Sequence, residues 1–160
     1  GSTIGNFEPA AAVRLLKQLR QLAGADSALL IGVDLRKDVR VLEAAYNDRA
    51  GVTADFNLNI LRRINQEMDG DFDLTRFRHH APFNATESRI EMHLVSTAAQ
   101  IVHVGDETFS FREGEHIVTE YSYKHTLDGF AKLAEKAGYR VEQVWTDDRR
   151  WFSVQYLTAG

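Results

Sequence analysis

The sequence predicts an α/β fold with an inserted α+β region, and three patterns support that class. Near the start, a helical period over residues 9–23 leads into the apolar run of residues 28–34, which predicts a buried parallel strand. Near the end, a short amphipathic helix over residues 127–137 precedes two strand-like runs. The turn between these runs is short, so they must be antiparallel neighbours. Between the two parts lie helical segments and several alternating strands.

The individual elements follow from local patterns. The helix over residues 9–23 has a basic outer face and is expected to end at Gly24, and a second helical region runs in two pieces from Val39 to about Glu67. Residues 69–87 look irregular, with three phenylalanines as expected anchors: Phe72, Phe77 and Phe83. Alternation predicts an antiparallel meander of strands over residues 89–96, 100–104, 108–112 and 116–121. The closing strands are predicted over residues 139–145 and 151–157.

Composition narrows the class of protein. The chain has 160 residues, of which 44% are hydrophobic, enough for one sizeable core or for one domain with an insertion. A net charge of -4 gives no reason to expect nucleic acid or an anionic membrane as partner. Cysteine is absent, so disulfide and thiolate chemistry are excluded, and we expect a cytoplasmic protein. The six histidines lack metal-ligand spacing with carboxylates, so no metal site is predicted.

The first nine residues read as a tight loop that feeds directly into a helix. Gly1 and Gly5 permit unusual backbone shapes, and Pro9 suits a first helical turn. Such a loop normally follows a strand, and α/β proteins bind ligands at the carboxyl ends of their strands. We therefore expect the chain to be the second part of a larger α/β protein, with chemistry at this loop.

Four motifs carry a resemblance to a known family. They are GSTIGNF at residues 1–7, the segment from Asp34 through residues 45–48 to Thr53, IEMHL at residues 90–94, and TEYSYK at residues 119–124. In this order and spacing they resemble the histidine-specific N-alpha-methyltransferase family of ergothioneine biosynthesis. The resemblance covers the whole chain but only the C-terminal half of a family member.

The resemblance implies a fold and a division of the chain. Residues 1–37 and 126–160 would be C-terminal parts of a Rossmann-like class I methyltransferase sheet, whose last strand inserts antiparallel. Residues 38–125 would form an inserted α+β substrate-binding subdomain. The glycine-rich loop and the acidic residue that bind the cofactor would lie in the missing first half, so the chain by itself is expected to be inactive.

The resemblance also implies an activity and site residues. The family transfers methyl groups from S-adenosyl-L-methionine to the α-amine of L-histidine, giving N,N,N-trimethylhistidine. Asn6 and Tyr46 would hold the α-amino and carboxylate end, Glu120 and Ser122 would hydrogen-bond the imidazole, and Met92 would line the pocket. Gly1 would bring main chain close to the amine. No general base is assigned, because alignment of a neutral amine is the main requirement.

Simple chemistry supports these roles and also offers alternatives. Residues two apart on a strand share a face, so Glu120 and Ser122 can address one ring together. Taken alone, however, Asn6 reads as a helix cap or turn residue, and Glu120 as a solvated charge near a strand end. Tyr46 could simply pack its ring, Met92 could be core, and Asp34 with Lys37 could form a surface ion pair of little energetic value.

Two other functions stay open. The chain could be a non-catalytic amino-acid-binding or interaction module, or a related enzyme that methylates a different amino acid. The strand over residues 28–34 would have an unpaired edge, so the isolated chain could dimerise or exchange strands. An acidic group beside Met92 suits imidazole better than indole, which favours histidine as the substrate.

Overall fold

A computed structural model describes residues 2–24 and 26–160 of the chain. Contacts within the chain divide it into two compact units: unit 1 contains residues 1–38, 84–89 and 121–160, and unit 2 contains residues 39–83 and 90–120. In chain order the elements are α1 (Pro9–Ala23), β1 (Ala28–Asp34), α2 (Val39–Tyr46), α3 (Val52–Glu67), β2 (Phe77–His80), β3 (Phe83–Asn84), β4 (Arg89–Ser96), β5 (Gln100–Val104), β6 (Glu107–Phe111), β7 (His116–Tyr123), α4 (Leu127–Lys136), β8 (Tyr139–Thr146) and β9 (Phe152–Ala159). Short 3-10 turns cover Thr3–Asn6 and Leu74–Arg76.

Unit 1 is built on a three-stranded sheet in the order β1-β9-β8. The last strand, β9, runs antiparallel to both neighbours, with Ala28 opposite Thr158 and Tyr139 opposite Ala159. This confirms the predicted antiparallel pairing of the two closing strands. The prediction of a buried parallel strand over residues 28–34 was wrong in two respects: the described ladder of β1 is antiparallel, and Leu30 is 63% exposed. An apolar run alone does not distinguish a strand covered on both faces from one that is covered in part.

The core of unit 1 packs the two helices against this sheet. Pro9 occupies the first turn of α1, where its missing N–H costs no hydrogen bond. The buried members of the core are Ile4, Ala12, Leu16, Val33, Leu35, Phe130, Leu133, Ala134, Ala137, Tyr139 and Leu157. The predicted inward face of α4 is confirmed, because Phe130, Leu133 and Ala134 all belong to this core.

Unit 2 contains α2, α3 and the remaining strands. Its four-stranded sheet is centred on β4, which pairs with β2, β3 and β7, while β5 and β6 form a separate hairpin. The predicted meander was therefore wrong in its connections, although its four strands exist. The prediction of an irregular segment over residues 69–87 missed β2. The sequence of β2, Phe-Arg-His-His, has no strand-like alternation, and its backbone is ordered by pairing with β4.

Two clusters form the core of unit 2. One contains Leu61, Phe72, Phe77, Leu94 and Val102, and the other contains Leu42, Ala81, Ile90 and Met92. Phe72 and Phe77 are thus confirmed as anchors, and Phe83 packs on the second cluster while partly exposed. None of the described helices has the length and apolar character needed to cross a membrane.

Candidate functional site

In unit 1 the opening loop is held in place by a hydrogen bond at Ser2 and by close packing at Gly5. The Asp34 backbone N–H donates to the Ser2 hydroxyl over 2.9 Å, so the loop is fixed to the carboxyl end of β1. Gly5 is buried against the chain at Tyr123: a Cβ on residue 5 would lie 2.9 Å from the Tyr123 carbonyl oxygen. Only glycine tolerates this approach, because a backbone oxygen cannot swing aside as a flexible side chain does.

Asn6 lies at the end of this loop with its side chain exposed. Glu8 occupies the N-cap position of α1 without a side-chain capping hydrogen bond, so Asn6 is not the helix cap considered from the sequence. Its amide makes no side-chain hydrogen bond with the described residues, which leaves both amide atoms for solvent or a ligand. Gly1, the other residue predicted in this loop, lies outside the described residues.

A buried charged cluster lies at the end of β1. Lys37 Nζ is 2.6 Å from Asp34 Oδ1, and Lys124 Nζ is 2.9 Å from Asp34 Oδ2. The side chains of Lys124, Lys37 and Asp34 are 1%, 13% and 21% exposed, so the surface ion pair considered from the sequence is wrong. Burial alone would raise the pKa of the Asp34 carboxyl, but hydrogen bonds and charge from Lys37 and Lys124 outweigh it and lower the pKa.

Ser122 belongs to the same cluster. The side chain is buried, and its hydroxyl oxygen accepts a hydrogen bond from Lys124 Nζ over 2.7 Å. The TEYSYK motif includes Lys124, but no role was assigned to this residue from the sequence, because lysine is rarely buried and its partner Asp34 is remote in sequence. The hydroxyl predicted to contact an imidazole is thus held by an ammonium group.

In unit 2, Tyr46 and Met92 lie in one apolar cluster with Leu42, Ala81 and Ile90. Met92 is 3% exposed and Tyr46 is partly buried, so both contribute to the core as the sequence alternatives suggested. The structure therefore brings these two predicted site residues together. Packing and lining a pocket are compatible roles for a flexible thioether and a phenol.

A polar network that sequence reasoning missed supports these residues. Asn57 is fully buried on α3, and its Nδ2 atom donates to the His93 carbonyl and to His79 Nδ1. Since His79 Nδ1 accepts, its Nε2–H is the donor to the Tyr46 carbonyl, 2.7 Å away. The Thr119 hydroxyl lies 2.6 Å from Asn57 Oδ1 and 3.0 Å from the Met92 carbonyl oxygen. The network fixes the backbone beside Tyr46 and Met92.

Glu120 follows Thr119 on β7 and is half-buried. Its carboxylate has no hydrogen-bond or ion-pair partner among residues 2–24 and 26–160. A carboxylate that is partly removed from water without an internal partner retains its full capacity to accept hydrogen bonds from a ligand.

Histidines also gather in unit 2. The His93 and His116 rings stack with centroids 4.2 Å apart, and His93 Nε2 is 3.3 Å from a Glu91 carboxylate oxygen. Burial lowers the pKa of His93 and outweighs the hydrogen bond that its ring donates to the Glu91 carboxylate, so the neutral ring is favoured. The stacked His93 and His116 rings contribute to packing.

A cavity of about 880 Å³ in unit 1 contains none of the predicted site residues. It lies between α1 and α4, with Ala10 and Leu133 in its apolar lining and Lys132 and Lys136 at its edge. Its wall includes His125, whose Nε2 atom is buried without a partner and whose pKa is lowered first by burial and then by Lys124. The predicted residues therefore do not converge on this cavity.

The described residues do not by themselves form a pocket for an adenosine cofactor. Within residues 2–24 and 26–160, the sheet of unit 1 consists of β1, β9 and β8, and no glycine-rich turn joins one of these strands to a helix. Among the described residues of the opening loop, only the Ser2 side chain forms a hydrogen bond with the end of β1. A dinucleotide-type or adenosine site needs backbone N–H groups at such a turn and an acidic ribose ligand.

Comparison with known proteins identifies the family. The family described as "Histidine-specific methyltransferase, SAM-dependent" matches residues 1–159. The chain belongs to this family. The predicted family resemblance and S-adenosylmethionine as the family's cofactor are thereby confirmed.

Individual relatives agree with this assignment. The histidine N-alpha-methyltransferase of Mycolicibacterium smegmatis is 43% identical over 149 residues, which are 92% of this chain and 46% of that protein. Ergothioneine biosynthesis protein 1 of Neurospora crassa is 29% identical over 160 residues, covering 91% of this chain and 17% of that protein. The chain thus spans about half the length of the bacterial relative.

The fold also matches a solved methyltransferase structure. The CcbJ methyltransferase of Streptomyces caelestis aligns with 100% of this chain and 58% of its own length, with a TM-score of 0.50 and 10% sequence identity. At this identity the match concerns the fold alone. It confirms the predicted α/β methyltransferase fold.

Proposed function

We propose that this chain supplies the amino-acid-binding part of an enzyme that methylates the α-amine of L-histidine to N,N,N-trimethylhistidine, as in ergothioneine biosynthesis. The family match over residues 1–159 supports the reaction class. The observation that carries the choice of substrate is Glu120, a half-buried carboxylate on β7 without a partner in the described part of the chain. Such a carboxylate can accept a hydrogen bond from the N–H of an imidazole ring.

Each predicted residue has a role that fits its chemistry. Asn6 and Tyr46 bind the α-amino and carboxylate end through an amide and a phenol. Glu120 accepts a hydrogen bond from one imidazole nitrogen, and Ser122 forms a hydrogen bond with the other. Met92 packs beside the ring. The main chain at Gly1 approaches the amine. These assignments come from the family motifs that each residue occupies, and they are proposals for this chain.

For the proposed methyl transfer, the main task of the protein is to align the α-amine of histidine with the methyl group. When bound, S-adenosylmethionine supplies an electrophilic methyl group. The residues of this chain have to orient the amine, keep it in its unprotonated form and hold the imidazole at a fixed distance from the reacting end. No strong general base is needed for this, which agrees with the lack of an assigned one.

The direct test is a methylation assay on a full-length protein, meaning a polypeptide of the bacterial relative's length that carries this chain. With S-adenosylmethionine and histidine, we expect mass spectrometry to detect mono-, di- and trimethylated histidine. The 160-residue chain alone is the control and is expected to be inactive. A folded full-length protein that leaves histidine unmethylated contradicts the proposal.

The same assay separates the remaining alternatives. Parallel reactions with tryptophan, tyrosine and phenylalanine test for a related enzyme with another substrate. Binding of histidine without turnover would favour an amino-acid-binding module. A cytoplasmic location also remains a prediction, and fractionation of cells that produce the full-length protein checks it.

A further inference from the structure

Asn57 lies at the centre of a buried polar junction in unit 2. It is fully buried on α3, and its side chain contacts polar groups on β2, β4 and β7. Burial of an amide is costly unless its polar atoms are hydrogen-bonded, and asparagine favours a helix less than leucine does. Apolar packing of α3 therefore gives no reason for an amide at this position.

The orientation of the Asn57 amide follows from the groups around it. The His93 carbonyl oxygen, 3.2 Å from Nδ2, can only accept, so this atom of Asn57 must be the amide nitrogen. The second N–H of Nδ2 has His79 Nδ1 as its acceptor, 3.0 Å away, so Nδ1 carries no hydrogen. The His79 ring therefore carries its hydrogen on Nε2 and donates it to the Tyr46 carbonyl oxygen over 2.7 Å.

The other end of the amide leads to two further strands. Asn57 Oδ1 accepts from the Thr119 hydroxyl over 2.6 Å, and the same hydroxyl oxygen lies 3.0 Å from the Met92 carbonyl oxygen. Thr119 immediately precedes Glu120 on β7. Directly or through one intervening side chain, Asn57 thus connects Tyr46 at the end of α2 with Met92 on β4 and with the residue before Glu120.

Three of the proposed substrate contacts lie in unit 2, so their spacing is set within this unit. Tyr46 is proposed for the amino-acid end of histidine, and Met92 and Glu120 for its ring. They lie on separate elements, α2, β4 and β7, and Tyr46 and Met92 also share an apolar cluster. Apolar contacts tolerate small shifts, whereas a satisfied network of directional hydrogen bonds holds segments in a single arrangement.

We propose that Asn57 is a positioning residue that fixes the distance between the two ends of the histidine site in unit 2. The inference rests on the proposed function, in which Tyr46 and Glu120 contact opposite ends of the substrate. A fixed distance favours an amino acid whose ring stands at one particular length from the α-carbon. Asn57 thus contributes to the selection of histidine by the length of its side chain.

The test compares histidine with homohistidine, whose side chain is one methylene longer and carries the same ring. In the full-length protein, we expect kcat/KM to favour histidine about 10- to 200-fold. Asn57→Leu removes the hydrogen bonds of Asn57 and should lower this preference about fivefold or more, because the segments can then move relative to one another. Mass spectrometry of the methylated products from a mixture of both amino acids measures the preference directly.

A milder pair of variants keeps the test valid if Asn57→Leu does not fold. Thr119→Val preserves the shape of a half-buried side chain but cannot donate to Asn57 Oδ1, so the preference should fall about three- to tenfold. Thr119→Ser keeps the hydroxyl and should therefore retain the preference for histidine.

Two variants on the same helix separate positioning from stability. Asn59→Leu makes the same substitution at an exposed position and should leave the preference unchanged. Leu61→Ala removes apolar volume at a residue that is 1% exposed, so it should lower the melting temperature while the preference for histidine stays the same. Circular dichroism melts measure the stability of every variant.

The outcomes separate this inference from the proposed function. A wild-type protein that methylates histidine but accepts homohistidine equally well overturns the positioning role alone. The same holds if Thr119→Val keeps the wild-type preference, or if Leu61→Ala lowers it as much as the junction variants do. A wild-type protein that does not methylate histidine overturns the proposed function and this inference together.

Discussion

Asp34 and Glu120 show how differently two carboxylates can be used within one chain. Asp34 forms ion pairs with Lys37 and Lys124. Its pKa is lowered, and its negative charge is balanced within the protein. Glu120 is half-buried and has no partner in the part of the chain that the structure describes. The charge of Asp34 therefore serves the fold, and we propose that the carboxylate of Glu120 serves a ligand.

Glu120→Gln tests that difference in the full-length protein. Loss of a charged hydrogen bond to the ring should weaken histidine binding by about 1.5–3 kcal/mol, which raises KM roughly 10- to 150-fold. Steady-state kinetics with histidine measure this, and kcat should fall much less. Glu113→Gln, at an exposed position, is the matched control. A KM within twofold of wild type would place Glu120 outside the site.

At the scale of elements, α3 begins with a cap that lies outside the helix. The Asp48 carboxylate accepts from the backbone N–H groups of Val52 and Thr53 over 3.0 and 2.9 Å. Hydrogen bonds from Thr53 are the largest cause of a pKa for Asp48 that is lowered to about 2. The ionised carboxylate thus satisfies the first free donors of α3.

Asp48→Ala should therefore lower the melting temperature of the protein in a pH-dependent way. Because the folded-state pKa lies below the ordinary value of 3.8, the stabilisation is complete above that value and is lost as pH falls towards 2. Circular dichroism melts at several pH values should show a gap to wild type that is widest near pH 7 and narrows below pH 4. Asp106→Ala, in an exposed turn, should show no such trend. A gap of constant size would contradict the assignment.

Elements with a local signature could be predicted from the sequence, and the others could not. Helices α1 and α3 bury one face, so their apolar residues recur at helical spacing. Strand β2 lacks alternation because its order comes from pairing with β4. The buried state of Lys124 depends on Asp34, which is far away in sequence, and lysine by itself indicates exposure. The candidate site residues were proposed from the joint motifs, whereas Asn57 lies outside those motifs and Lys124, although it ends one of them, was given no role.

At the scale of the molecule, the sheet of unit 1 has an open side. Strand β1 hydrogen-bonds to β9, and no other strand within residues 2–24 and 26–160 forms a ladder with it. Leu30 on this strand is 63% exposed. An edge strand with an exposed apolar side chain is a template for pairing with another chain.

We therefore expect the isolated 160-residue chain to self-associate at micromolar concentrations. Leu30→Lys should shift it towards monomer, because a charged side chain on the strand disfavours edge-to-edge pairing. Leu22→Lys is the control: Leu22 is 86% exposed on α1, and its replacement should leave association unchanged. Sedimentation velocity distinguishes these cases, and a monodisperse wild-type monomer would refute the expectation.

Because β9 lies between β1 and β8 and comes last in the chain, the sheet of unit 1 cannot form until nearly the whole chain has been synthesised. Val33 on β1 faces Ser153 on β9, and 120 residues separate them along the chain. At about 5–20 residues per second, a ribosome needs roughly 6–24 s to make that stretch. During this interval β1 has been synthesised but its partner strand β9 has not. Nascent chains should consequently depend on holding chaperones until the final strand has emerged.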